Sequence, residues 1–186
     1  MRRAVDDGEV VIYGYDVRWP LLFRAVASDL RAALGEVAQR IDHVGSTSVP
    51  GLDAKPAIDV QVSVDALEPI GPYLELLVAL GYRYRADNSI RTSWFFREPE
   101  GGPRVHLRVH EAGSFSEQLN LLFRDYLRVH ATDAYAYARL KHALAQVHGS
   151  DRDAYTRAKH PFIWETLARA HEWSNETGWR PPPSDA

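Results

Sequence analysis

The chain has 186 residues, 45% hydrophobic and 25% charged, a size and balance that a single globular core accommodates. Twenty-two Lys and Arg against 25 Asp and Glu leave a net charge of -3, which excludes the broad positive field of a dedicated nucleic-acid binder, so no nucleic-acid partner is expected. The absence of cysteine excludes disulfide scaffolds, thiolate metal centres and cysteine nucleophiles together, and no run reaches the ~18 apolar residues of a membrane span. A soluble, cytoplasmic protein with no membrane partner is the expectation.

In chain order, Leu22, Val26, Leu30, Ala33 and Val37 recur at helical spacing, which predicts a first helix from Trp19 that ends between Gly35 and Arg40. A turn-rich loop, Gly45-Ser46-Thr47-Ser48-Val49-Pro50-Gly51, follows a short extended piece. Strict alternation then predicts a strand, with Ile58, Val60, Val62 and Val64 on one face and Asp59, Gln61 and Ser63 on the other. A second helix is expected over Leu67 to Leu80. Strands at Tyr82–Tyr84 and Thr92–Arg97 come next, with a polar turn between them, and the alternating segment Arg104–His110 is a further strand. Leu119, Leu122, Phe123, Tyr126 and Leu127 begin a helical half, continued by helices near Asp133–Val147 and Asp151–His171. The fold class is α+β, a mixed sheet flanked by helices with a helical C-terminal half. Residues 1–14 read as an N-terminal extension, 15–172 as one domain, and 173–186, with Pro181-Pro182-Pro183, as a flexible tail.

Several of these residues suggest chemistry. The glycines of the loop allow close backbone approach, and Ser46, Thr47 and Ser48 add small hydroxyl donors suited to phosphate. The loop lacks the Lys-Ser/Thr ending of a Walker motif. Asp59 is a carboxylate inside a strand that otherwise prefers β-branched residues, so it either faces solvent or has a purpose. If its face adjoins the Arg104–His110 strand, Asp59 meets Arg104, His106 and Arg108 in a site for an anion, or for a metal bridging carboxylate and phosphate. Lys55 reads as a surface lysine or a phosphate contact. Arg124 and Asp125 read as a solvated helix edge, with a substrate clamp as the alternative. Tyr155, Lys159 and Phe162 read as packing anchors. No HExxH or comparable metal spacing is present.

Taken together, His43-Val44-Gly45-Ser46-Thr47-Ser48-Val49-Pro50-Gly51-Leu52, Ala54-Lys55-Pro56, Ile58-Asp59-Val60, Gly81-Tyr82-Arg83-Tyr84, His106-Leu107-Arg108-Val109 and Phe123-Arg124-Asp125-Tyr126-Leu127-Arg128 resemble the GrpB family (UPF0157), from about Tyr15 to Ile163. The resemblance implies a nucleotidyltransferase-like fold of the polymerase β type, a transferase activity, a nucleotide or other phosphorylated or carboxylated small-molecule ligand, and Mg2+ as cofactor. In that superfamily a glycine-serine turn precedes a carboxylate-x-carboxylate pair, and a neighbouring strand brings a third acid. Gly45, Ser46 and Asp59 match. Gln61 stands at the second acidic position and His106 at the third, and Arg108 replaces the second histidine of the family's His-Leu-His segment. The residues carried over are Asp59 and His106 as catalytic groups, Asp59 as metal ligand, and Gly45, Ser46, Thr47, Ser48, Lys55, Gln61, Arg104, Arg108 and Arg124 as substrate contacts. Two other readings stay open: a non-catalytic ligand-binding module on the same fold, and a divergent enzyme that forms amide or ester bonds on a carboxylate substrate with His106 as acid/base.

Overall fold

The computed structural model describes residues 9–87 and 90–186. Helix α1 (Trp19–Leu34) has Pro20 in its first turn and turns Trp19, Phe23, Val26, Ala27, Leu30 and Leu34 inward. It ends at Gly35, whose φ of 50° a side chain would strain, and Arg31 in the last turn donates to the Gly35 and Ala38 carbonyls. Strand β1 (Arg40–Val44) leads into a single 3-10 turn at Ser46–Ser48, and strand β2 (Ile58–Val64) follows. Helix α2 (Gly71–Ala79), the two-residue β3 (Arg83–Tyr84) and β4 (Trp94–Arg97) come before β5 (Val105–Glu111). The polar turn expected between β3 and β4 includes Asn88 and Ser89, and the expected extension includes residues 1–8; these lie outside the described residues.

The strands form one mixed sheet in the order β1-β2-β5-β4-β3. β1 runs antiparallel to β2, whereas β2 and β5 are parallel, with Asp59 opposite His106, Gln61 opposite Arg108 and Ser63 opposite His110. Alternation therefore sorts the sheet into two faces. Ile58, Val60, Val62, Val105, Leu107 and Val109 pack with α1 and α2 in one hydrophobic cluster. The polar residues of β2 and β5 share the opposite face. Part of that face lies under helix α3 (Phe115–Val129), so Gln61 and Ser63 are wholly buried rather than solvated.

Helices α3, α4 (Ala131–His148) and α6 (His160–Thr177), with Val49 and Leu52 of the loop, build a second apolar cluster. The helix expected over Asp151–His171 is two: α5 (Arg152–Ala158), capped by Asp151 through the amides of Asp153 and Ala154, and α6. Pro161, without an amide N–H, sits in the first turn of α6 where no donor is needed, so it begins a helix instead of continuing one. Helix α6 also runs past residue 172 to Thr177. The prolines suggest a flexible end, but the segment beyond returns to the sheet: Ser184 Oγ accepts from the Ile41 amide at 2.8 Å and Asp185 from the His43 amide at 2.9 Å, along β1.

Candidate functional site

The open end of the polar face holds a cavity of about 280 Å³. Ser46 and Thr47 come from the loop, Asp59 from β2, and His106 and Arg108 from β5; the helical half closes it with Lys141 of α4, Arg152, Tyr155 and Thr156 of α5, and Lys159 at the α5–α6 junction. The His106 imidazole lies 2.9 Å from Asp59 Oδ1 through Nδ1. An ionised carboxylate only accepts, so Nδ1 carries the proton and Nε2 is left as the ring's acceptor in the neutral form. That Nε2 is buried and has no hydrogen-bond partner in the structure. Desolvation pushes the Asp59 carboxyl up, but the hydrogen bond from His106 and the nearby positive charges of Lys159 and Arg108 outweigh it, holding the carboxyl below its usual pKa.

The cations of the cavity have the opposite problem. Burial, then repulsion from Lys159, lowers Lys141 to about 7; burial, Lys159 and Arg152 lower Lys55 to about 8. Lys159 is also lowered, chiefly by burial. Lys55 and Lys159 both lie over the Tyr155 ring, 5.3 and 4.8 Å from its centre, and Lys141 lies 4.6 Å from the centre of Tyr137 while donating to the Asp53 carbonyl. Arg108 stacks over Phe95 at 4.8 Å. Asp59 is the one carboxylate among the described residues that line the cavity.

Local structure explains how the loop reaches Asp59. Gly45 has φ 68°, and a Cβ there would stand 2.3 Å from Asp59 Oδ2. Gly45→Ala is expected to destabilise the fold by roughly 1–3 kcal/mol and displace the Asp59 carboxylate, read as a lower Tm together with weakened ligand binding. Thr47 donates to the Ala57 carbonyl at 3.2 Å and so accepts from His43 Nε2 at 3.0 Å, while Ser48 donates to the Gly45 carbonyl at 2.6 Å. His43 stacks on Phe23 and is lowered to about 4 by burial, so it stays neutral and holds the loop.

Ser46, Thr47, Lys55, Asp59, His106 and Arg108 thus converge on one cavity, with Gly45 behind Asp59. The other expected contacts lie elsewhere. Gln61 is turned beneath α3, where its Oε1 accepts from Asn120 at 2.8 Å. Ser48 is spent inside the loop, and half-buried Arg104 sits just before β5, outside the cavity lining. Arg124 is on no solvated edge: it is 1% exposed and reaches Asp125 at 2.7 Å, Asp185 at 2.9 Å, the His43 carbonyl at 3.2 Å and Asp42 at 3.7 Å. Lys141, Arg152, Thr156 and Lys159 are cavity residues that sequence reading misses. One signal was available, since Lys141 falls on the stripe of Ala134, Tyr137 and Ala138 that α4 turns inward.

A Mg2+ site of the superfamily's kind needs acids that bridge and neutralise divalent ions. Among the described residues no group of three or more His, Asp or Glu is placed to share a metal, and the Asp59 carboxylate already accepts from His106 in a wall rich in cations. This donor set does not fit the two-ion arrangement.

The chain matches the GrpB protein family over residues 9–169. It is 35% identical to UPF0157 protein BH1888 of Halalkalibacterium halodurans, over 89% of this chain and 84% of that protein. It is 42% identical to UPF0157 protein PA4798 of Pseudomonas aeruginosa over 76% of this chain, but spans only 59% of that relative. The dephospho-CoA kinase of Mycolicibacterium paratuberculosis is 31% identical over 89% of this chain, which spans 47% of that enzyme. Among solved structures, the conserved protein GrpB from Enterococcus faecalis superposes with a TM-score of 0.79 at 31% identity, covering 87% of this chain and 98% of the other. The Cid1 poly(U) polymerase with MgGTP bound superposes at 0.52 with 17% identity, over 73% of this chain and 44% of Cid1, a likeness of fold alone. The shared sheet, the matched residues and the E. faecalis structure lead to one conclusion: the chain belongs to the GrpB family and has a nucleotidyltransferase-like fold.

Proposed function

We propose that the cavity binds a nucleotide or another phosphorylated or carboxylated small molecule, and that Asp59 and His106 serve group transfer on it. The observation that carries this reading is the charge of the wall, where Lys55, Lys141, Lys159 and Arg108 stand against Asp59. Burying like charges together is unfavourable, and an entering anion supplies the missing counter-charge. Ser46, which lines the cavity and hydrogen-bonds Tyr137, would turn its hydroxyl to a phosphate oxygen. His106, held by Asp59 through Nδ1, would use its buried, unpartnered Nε2 to accept a proton from an attacking hydroxyl. The net charge of -3 and the small cavity favour a metabolite over a nucleic-acid chain as partner.

Isothermal titration with ATP, CTP and CoA precursors tests the reading, and an absence of binding for all of them overturns the nucleotide version. The pH dependence adds a second check. Phosphate raises the pKa of the lysines it meets, so between pH 7 and 9, where Lys141 and Lys55 lose their protons in the free protein, affinity falls by up to about tenfold per pH unit for each coupled lysine. A flat profile over that range contradicts it. A non-catalytic binding module is the second reading, favoured by Gln61 lying under α3 in place of an acid. Binding without turnover in wild type, unchanged in His106→Asn, selects that module.

A further inference from the structure

Three observations bear on how phosphate charge is neutralised in this cavity, on the reading of the cavity as an anion site. First, the strand position two residues beyond Asp59 is sealed off: Gln61 is 0% exposed and engaged by Asn120 from α3. Second, the position across the sheet is His106, whose Nδ1 is already spent on Asp59 Oδ1, while Asp59 Oδ2 lies so close to Gly45 that no Cβ fits between them. One carboxylate oxygen is therefore engaged by His106 and the other abuts Gly45 while the side chain stays 38% exposed at the cavity, and neither neighbouring position offers a second acid.

Third, lysines reach the cavity from separate segments. Lys55 follows the loop, Lys141 lies on α4 and Lys159 joins α5 to α6, so bringing them together is a product of the tertiary fold. Tyr155 takes Lys55 and Lys159 on its ring, which fixes two ammonium groups near one point at the cost of their mutual repulsion. Ammonium groups are compact point charges with rotatable donors, suited to phosphoryl oxygens. In metal-dependent phosphoryl-transfer sites, divalent ions bridged by acids do this neutralising.

We infer that the GrpB cavity of this chain binds its phosphorylated ligand as the metal-free anion, with Lys55, Lys141 and Lys159 supplying the charge that divalent ions supply elsewhere. Magnesium is then a competitor. By complexing the phosphates it removes the charge that the lysines recognise, and it gains no acid pair in the cavity to hold it. Asp59 repels the ligand's charge while it positions His106, so neutralising it favours binding, whereas a metal-holding aspartate would be needed for binding.

The experiment titrates the protein with inorganic pyrophosphate and with ATP, first in EDTA and then in excess MgCl2, using wild type, Asp59→Asn and Lys159→Met, with circular dichroism as the check on folding. The expected result is binding in EDTA, at least tenfold weaker in magnesium, tighter or equal in Asp59→Asn and at least tenfold weaker in Lys159→Met. Binding that appears only with magnesium, or that disappears in a folded Asp59→Asn protein, overturns the inference and leaves the anion site standing. No binding of pyrophosphate or ATP in either buffer overturns the phosphate reading itself. If Asp59→Asn does not fold, the magnesium dependence of wild type alone decides.

Discussion

Replacing Arg124 with alanine is expected to lower the unfolding free energy by roughly 3–5 kcal/mol, the usual effect of removing one partner from a buried ion cluster. At this chain length that corresponds to a Tm lower by about 10 °C. The guanidinium is 1% exposed and joins α3 to β1 and to the C-terminal segment at once, through Asp42, the His43 carbonyl, Asp125 and Asp185. Without it, Arg40, at 2.9 Å, is the one ion-pair partner left to the buried Asp42 among the described residues. Desolvation already raises the Asp42 carboxyl above its ordinary pKa, and losing Arg124 raises it further. A carboxyl whose folded pKa lies above its unfolded one destabilises at high pH and ceases to do so once it is protonated. The deficit of Arg124→Ala relative to wild type should therefore be largest near neutral pH and shrink in mild acid. Urea unfolding across that range measures it, and a loss under about 1 kcal/mol would show the cluster to be dispensable.

Lys141→Met is expected to move stability and ligand affinity in opposite directions. Lys141 is 3% exposed and its pKa in the folded protein is about 7, against ~10.4 for an unfolded chain. The native state therefore holds fewer protons between those values, and wild-type stability gains from this group as pH rises from 7 towards 10; below 7 the buried charge weighs fully against folding. Methionine keeps the stem and removes the charge. At pH 6 the variant should be more stable by roughly 1–4 kcal/mol, with the gap closing as pH rises, set against the lost bond to the Asp53 carbonyl. Pyrophosphate affinity should fall at least tenfold in the same protein. Thermal melts and titrations on one preparation read both, and a variant that melts lower at pH 6 yet binds normally would refute the role given to Lys141. In wild type, ligand at 100 times its Kd should offset the lysines' repulsion with about 2.7 kcal/mol of added stability.

How far the sequence is legible follows from which signals are local. The period of two in Ile58–Val64 and Arg104–His110 is local, and it places Asp59, Gln61 and Ser63 on one face and His106, Arg108 and His110 on another. The parallel register then joins the two faces, bringing Asp59 to His106 as the motif suggested. What covers that face is not local. Helix α3 covers Gln61, and its own Arg124, which amphipathic spacing alone assigns to a solvated edge, is buried because the sheet beneath is itself polar and offers Asp42 as partner. Lys55, Lys141 and Lys159 are 86 and 18 residues apart along the chain, and no spacing rule links them. Only Lys141 carries a trace, a charged residue on a stripe that otherwise faces inward.

The parallel pairing of β2 with β5 also sets when the site can exist. Asp59 and His106 are 47 residues apart, and the crossover between β2 and β5 contains α2, β3 and β4. Antiparallel neighbours joined by a short turn could meet early; this pair meets only after a long crossover, the kind of contact that slows folding. Ligand recognition is then a property acquired at the end of folding, and refolding followed by ligand binding should lag refolding followed by helical circular dichroism. A partly folded chain with its helices formed would carry every lysine of the cavity and still have no cavity in which to gather them.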